Sequence, residues 1–194
     1  MARVPLTKRP LDLVYFAFFL IHIPATICMD LQPFYPPHLV PQPLKDFLAW
    51  YLRTSNDPVV SGALGLIGSP GDFAWIKSFF FLEGFFQLPT FFIALYGLWT
   101  ASPRINVLIL IYAASTATTV LPCVMTVLAL PTTSDITIKA GLTSLTDIQR
   151  YLLLSSYVPF MIVPTIMTVD IGFRTLRLVE TAVQLTKKAE TKSL

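Results

Sequence analysis

Apolar residues fall along this chain in four long blocks, not in the half-polar periodicities of a water-soluble helix or strand. The blocks cover about residues 11–29, 76–99, 105–130 and 151–171. A helix rises about 1.5 Å per residue and the hydrocarbon core of a bilayer is about 30 Å thick, so about 20 mostly apolar residues suffice to cross it. Each block is long enough. The roughly ten-residue alternation of a membrane barrel is missing, so the pattern predicts an all-α membrane protein built as a four-transmembrane-helix bundle.

Shorter patterns fill the connections. Leu44, Phe47, Leu48 and Tyr51 recur at i, i+3, i+4 and i+7 after a proline-rich stretch, which predicts an amphipathic helix over 44–52, lying on the membrane surface or capping the bundle. The glycine-rich stretch 61–72, SGALGLIGSPGD, reads as a turn-rich connector and the most mobile part of the chain. Residues 1–173 form the membrane domain, and 174–194 read as a cytosolic basic tail, at most a frayed extension of the fourth helix.

Composition narrows the function classes. Of 194 residues, 54% are hydrophobic and 13% charged, against roughly a quarter charged in an ordinary soluble domain. The net charge of +3 comes without a basic patch interleaved with aromatics, so no nucleic-acid partner is expected. Cys28 and Cys123 lie in apolar runs with no C-x-x-C or Cys/His cluster; neither a disulfide, a metal nor another cofactor is expected. Arg3, Lys8 and Arg9 ahead of the first block also fit a signal peptide, but the apolar run continues to Met29 with no small-x-small site before Asp30, which favours a retained span. Arg3, Lys8, Arg9, Arg104, Arg174, Arg177, Lys187, Lys188 and Lys192 share one side of a four-span chain, nine of its fourteen basic residues. Both termini are therefore expected in the cytosol.

Candidate chemistry sits inside the spans. Each block carries proline, at Pro24, Pro89, Pro122, and the pair Pro159 and Pro164. Interior prolines break the hydrogen-bond ladder, which predicts kinked helices around an intramembrane cavity, flanked or lined by the aromatics between Phe79 and Phe92. Glu83 falls seven residues into the second block with Gln87 one turn on; a carboxyl facing lipid is too costly, so Glu83 must face the interior and find a partner. The third block adds Tyr112, Ser115, Thr116, Thr118 and Thr119, and the fourth Ser155, Ser156 and Tyr157, which serve either helix packing or a cavity wall. Asp30 closes the first block where the helix dipole opposes it, and reads as a loop residue or a site. Asp57 before Pro58 reads as a turn former or a second site, and His22 as a hydrogen-bonded packing residue.

The segments HIPATICMDLQPFYP, LKDFLAWYLRTSNDP, WIKSFFFLEGFFQLPTFFIALYGL, TATTVLPCVMTVL and SSYVPFMIVP, in order over about residues 10–168, resemble the sigma-2-receptor branch of the EXPERA family, which also includes the emopamil-binding sterol isomerase. The resemblance implies a four-helix protein of the endoplasmic reticulum membrane, usually a homodimer, with a buried pocket open to membrane lipid. That pocket would take sterols or amphiphilic amines. By the motif match, Asp30 takes the place of the acidic residue that pairs with a ligand ammonium and Asp57 that of the aspartate supporting it. Glu83 and Gln87 match the polar pair of the second helix, and Tyr112, Thr119 and Tyr157 match cavity-lining positions. Phe160 and Ser115 replace a tyrosine and a histidine of the animal receptor, and the 61–72 connector is longer here.

Two functions compete. One is a binding protein for sterols and cationic amphiphiles, linked to sterol homeostasis, without turnover. The other is a membrane-embedded isomerase or cyclase acting on a sterol or terpenoid, with Asp30 and Glu83 as acid and base. The isomerase carries a histidine four residues before its glutamate; this chain has Phe79 there. The third helix offers Thr118 and Thr119 but no second glutamate, so a partner acid is missing from the isomerase pattern.

Overall fold

The computed structural model describes residues 4–69 and 71–192. Arg3, counted above among the basic residues, and Pro70 of the connector lie outside them. Among the described residues four helices are long and apolar enough to cross a membrane: α1 (Pro10–Asp30), α4 (Ala74–Trp99), α5 (Ile105–Ala129) and α7 (Asp147–Lys192). Between them lie α2 (Gln42–Ser55), α3 (Pro58–Ala63) and α6 (Asp135–Lys139). The spans bury only a minority of their residues against one another. Outward positions such as Ile21, Phe85, Ile93, Ile111 and Ile162 are apolar and exposed, which suits lipid and not water.

The bundle has a packed half and a hollow half. α5 and α7 lie together along most of their shared length, and α1 packs on the later part of α4. Around these contacts Tyr15, Phe19, Phe91, Ile109, Tyr112 and Met167 form a fully buried core. The turn between α4 and α5 is tight because Gly97 lets the chain close: a Cβ there would come within 2.6 Å of the Ile105 side chain. At the same end an ionic cluster joins the start of α1 to the exit of α7. Asp12, 6% exposed, accepts from Arg9 and, at 2.5 Å, from Arg174. Arg174 also meets Asp170 at 2.7 Å, and the Tyr15 hydroxyl donates to Asp170 at 3.0 Å.

The opposite half is shaped by two wide, π-type turns, Thr26–Asp30 at the end of α1 and Glu83–Gln87 in the middle of α4. Each adjoins a proline, Pro24 or Pro89, and the missing N–H gives the helix a reason to open its spacing there. Pro122, Pro159 and Pro164 instead sit inside continuous α-helical turns.

Three expectations are revised. The 61–72 connector is not uniformly loose: Ser61, Gly62 and Ala63 belong to α3 and are buried. Gly62 lies so close to Phe73 that a Cβ would overlap its ring, at 2.1 Å, and the missing side chain is what lets α3 seat there. α7 does not fray after the fourth block but continues as one helix to Lys192, its first turns beyond the block held by Arg174. The aromatics of α4 divide: Phe79 and Phe80 face the hollow, whereas Phe81 and Phe85 form an outward pair 4.3 Å apart. The amphipathic helix expected over 44–52 is α2, slightly longer at Gln42–Ser55 and packed against α7.

Removing Asp12 leaves two guanidinium groups facing each other in a largely buried site. Asp12→Ala should lower unfolding stability by about 2–3 kcal/mol, below the cost of breaking a fully buried pair because Arg174 is a third exposed. Thermal unfolding in detergent reads this directly, and an unchanged midpoint would show that the cluster does not hold the two helices.

Candidate functional site

A cavity of about 330 Å³ occupies the hollow half, within the size range of small-molecule sites. Its wall draws on every span: the end of α1, the first half of α4, the second half of α5 and the start of α7, with Phe47 and Tyr51 of α2 and Val60 of α3 closing over it. Most of the lining is carbon, from groups such as Ala25, Met29, Ile76, Phe79, Val120 and Phe160. The carboxyl, imidazole and amide groups of the wall come from α1 and α4, and α2, α5 and α7 add the hydroxyls of Tyr51, Thr116, Thr119, Ser156 and Tyr157.

Asp30 and Glu83 form the polar centre. Each stands on one of the two π-type turns, and their carboxyl groups are hydrogen-bonded to each other. Thr26, fully buried, donates its hydroxyl to Glu83 Oε1. His22 Nε2 lies 3.7 Å from the same Glu83 oxygen. Its ring is stacked on Phe91 with centroids 4.7 Å apart and meets Phe160 edge-on. Behind the ring, His22 Nδ1 is 3.3 Å from the Tyr112 hydroxyl. Gln87, one turn from Glu83, is 4% exposed and also lines the cavity. The wide turn in α4 thus places its two polar side chains, Glu83 and Gln87, inward while Phe81 and Phe85 face outward.

Asp57 builds a second centre beside the first. It caps the N-terminus of α3, its Oδ1 accepting from Val59 N at 2.8 Å and Val60 N at 3.2 Å, with Pro58 at the first helical position. Its other oxygen, Oδ2, accepts from Tyr51 at 2.5 Å and from Tyr157 at 2.8 Å. One fully buried carboxylate therefore ties α2, α3 and α7 together. Burial and the adjacent Asp57 carboxylate push the Tyr51 phenol well above its usual range, so it remains a hydrogen-bond donor throughout the neutral range.

The residues singled out in the sequence separate into two groups. Asp30, Glu83, Gln87, Thr119 and Tyr157 all line the cavity. Asp57 and Tyr112 stand one layer behind it, Asp57 holding Tyr51 and Tyr157 and Tyr112 meeting His22. His22, read from the sequence as a packing residue, is part of the wall, and so are Thr116 and Cys123. The partner that Glu83 needs at membrane depth includes Thr26 of α1. A signal for the α1 residues existed: His22, Thr26 and Asp30 recur every fourth position and so share one helix face. Across the described residues no group of three or more His, Cys, Asp or Glu side chains is arranged to hold a metal ion.

Comparison with known proteins finds a matching family and similar proteins. Residues 43–171 match the EBP family, described as EXPERA (EXPanded EBP superfamily). The chain is 35% identical over 175 residues to sigma intracellular receptor 2 of Macaca fascicularis, covering 86% of this chain and 89% of that protein. It is likewise 35% identical to sigma intracellular receptor 2 of Homo sapiens, over 85% of this chain and 89% of that one. A more distant relative is the efficient mitochondria targeting-associated protein 19 of Schizosaccharomyces pombe, 24% identical over 90% of this chain and 82% of that protein.

The Asp57 centre yields a test of its own. Asp57→Ala strips acceptors from two tyrosine hydroxyls and two backbone N–H groups at once, and should destabilise the fold by about 2–4 kcal/mol. Tyr51→Phe and Tyr157→Phe should each cost less, about 1 kcal/mol, since either leaves the carboxylate its other partners. Chemical denaturation of the four proteins orders them; equal midpoints would remove Asp57 from the role of tie.

Proposed function

The chain belongs to the EXPERA (EXPanded EBP superfamily) family, and from that premise we propose that it is an intramembrane receptor for sterols and cationic amphiphilic ligands, resident in the endoplasmic reticulum membrane. The observation that supports this reading is the hydrogen-bonded Asp30 and Glu83 pair in a largely apolar cavity. Two carboxyl groups joined by a hydrogen bond hold a proton between them, and with the second proton released the pair presents one negative charge. That is the complement of a single protonated amine. An ammonium against a carboxylate in a low-dielectric site makes a charge-assisted hydrogen bond, stronger than the same contact in water.

The rest of the wall suits the ligand's body. Phe79, Phe160, Met29 and Val120 offer apolar and aromatic contact, and aromatic faces also favour a nearby cation. A neutral sterol would use the same surface, with Gln87 and Thr119 as hydrogen-bond partners for its hydroxyl. Both termini in the cytosol and assembly as a homodimer in membrane lipid belong to the same proposal. The excess of basic residues on the terminal side supports the orientation, and similarity to sigma intracellular receptor 2 supports the receptor reading.

One observation favours a second reading, an isomerase or cyclase for a sterol or terpenoid. The histidine missing from the position of Phe79 is offset by His22, which reaches Glu83 from a different helix. A carboxyl pair with an adjacent imidazole is a set that can add a proton to one carbon and remove it from another.

Binding and turnover separate the two. Asp30→Asn should weaken a cationic amphiphile about 10- to 100-fold, the worth of a hydrogen bond to a charged group, and change sterol binding little. Unchanged amine affinity in that variant would remove Asp30 from the site. Purified protein incubated with unsaturated sterols should return them unaltered on the receptor reading. A shifted double bond, lost in Glu83→Gln and His22→Ala, would establish the enzyme instead.

A further inference from the structure

The link between α5 and α7, residues 130–146, lies at the end of the bundle opposite the ionic cluster, and it is a built lobe. α6 opens on a reciprocal cap between Ser134 and Thr137. It closes at Gly141, whose φ of 65° turns the chain so that the Leu142 N–H donates back to the Thr137 carbonyl at 3.0 Å. Across the neck, Leu145 is buried against Val127 and Leu153. Its N–H donates to the Pro131 carbonyl at 3.1 Å, and its carbonyl accepts from Thr133 N at 3.0 Å. Arg150 spreads its two terminal nitrogens over the carbonyls of Val127, Leu128 and Leu130, where α5 runs out of internal donors.

The outer side of this lobe and of the α7 turn that follows it is apolar. Ile136, Ile148 and Tyr151 are the three most exposed large apolar side chains among the described residues, the isoleucines at 79% and 80%, and Ile138 and Leu142 are exposed with them. Apolar surface gathered on a rigid segment marks a contact with something other than water. We propose that the contact is lipid: the lobe is seated in the bilayer interface, with its isoleucines among the headgroups and upper acyl chains of the leaflet at that end.

Helix length places it there. Asp170, ion-paired in the cluster at the packed end, marks one boundary of the hydrocarbon on α7. About 20 helical residues cover the roughly 30 Å to the other boundary. That distance arrives at Arg150 and Tyr151, and tyrosine is favoured at such a level. The face is also continuous with the lipid-facing side of the span. Ile148, Tyr151, Leu152, Ser155, Pro159 and Ile162 are all exposed, at spacings that keep them on one side of the helix. The hydrogen bonds within the lobe engage its backbone from inside, as a segment bordering hydrocarbon requires. Its seat also bears on the cavity: Asn56, the residue before Asp57, donates to the Ser144 carbonyl at 2.9 Å, so the lobe holds the corner between α2 and α3 that closes over the hollow.

Spin labels on the full chain in phosphatidylcholine nanodiscs test this. Ile136→Cys and Ile148→Cys each carry a nitroxide, and wild-type chain treated identically sets the background from Cys28, half-buried, and Cys123, buried. Both labels are expected to collide more with oxygen, which concentrates in lipid, than with a water-soluble nickel chelate, and to lie about 5–10 Å into the headgroup and acyl boundary. A Lys187→Cys label on the exposed end of α7 should show the reverse preference.

Because both isoleucines are exposed, the labelled variants should keep the wild-type unfolding midpoint, and Leu142→Cys replaces either one that does not. Chelate access at either lobe position equal to that of the Lys187→Cys label would overturn the proposal. So would dipolar broadening between lobe labels that vanishes on dilution with unlabelled chain, which would assign the face to a second copy.

Discussion

Carboxyl groups inside an apolar bundle must be matched by hydrogen-bond or charge partners, and the arrangement of this protein follows from how four of them are matched. Asp12 is answered by two arginines, Asp57 by two tyrosines and a helix N-terminus, and Asp30 and Glu83 by each other. The first two arrangements consume their carboxylates in holding helices together. In the third the two groups answer each other within a cavity wall, with room beside them. The difference separates structural acid from an acid that can receive a ligand.

The backbone explains why the third pair differs. Asp30 and Glu83 both stand on wide turns next to prolines, where the helix departs from its usual spacing and neighbouring side chains rotate inward. Where prolines sit in continuous α-helical turns, as in α5 and α7, the wall offers mainly carbon and hydroxyl groups. The packed end, with its aromatic core and ionic cluster, supplies a rigid frame. The hollow end can then retain a void that close packing would otherwise fill.

Much of this was legible from the chain because bilayer thickness sets helix length and because a charge at membrane depth needs a reason. Four spans, the amphipathic α2, and the inward direction of Glu83 follow from those two constraints. Less could be read where local sequence and tertiary packing diverge. Glycines in 61–72 suggested looseness, yet Gly62 is small so that α3 can seat against Phe73. His22 looked like a packing residue because its partners, Glu83 and Tyr112, lie 61 and 90 positions along the chain. Asp57 resembled a turn former, which as an N-cap it partly is; its two tyrosine partners come from separate helices and no local pattern announces them.

The account is tested most directly by an experimental structure of the full chain bound to a cationic amphiphile in lipid. It predicts the ammonium nitrogen within hydrogen-bond distance, about 2.7–3.2 Å, of the Asp30 and Glu83 carboxyl pair, with the apolar body against Phe79 and Phe160. A ligand seated on the lipid-facing surface, or spans closed together with no space beside Asp30, would contradict it.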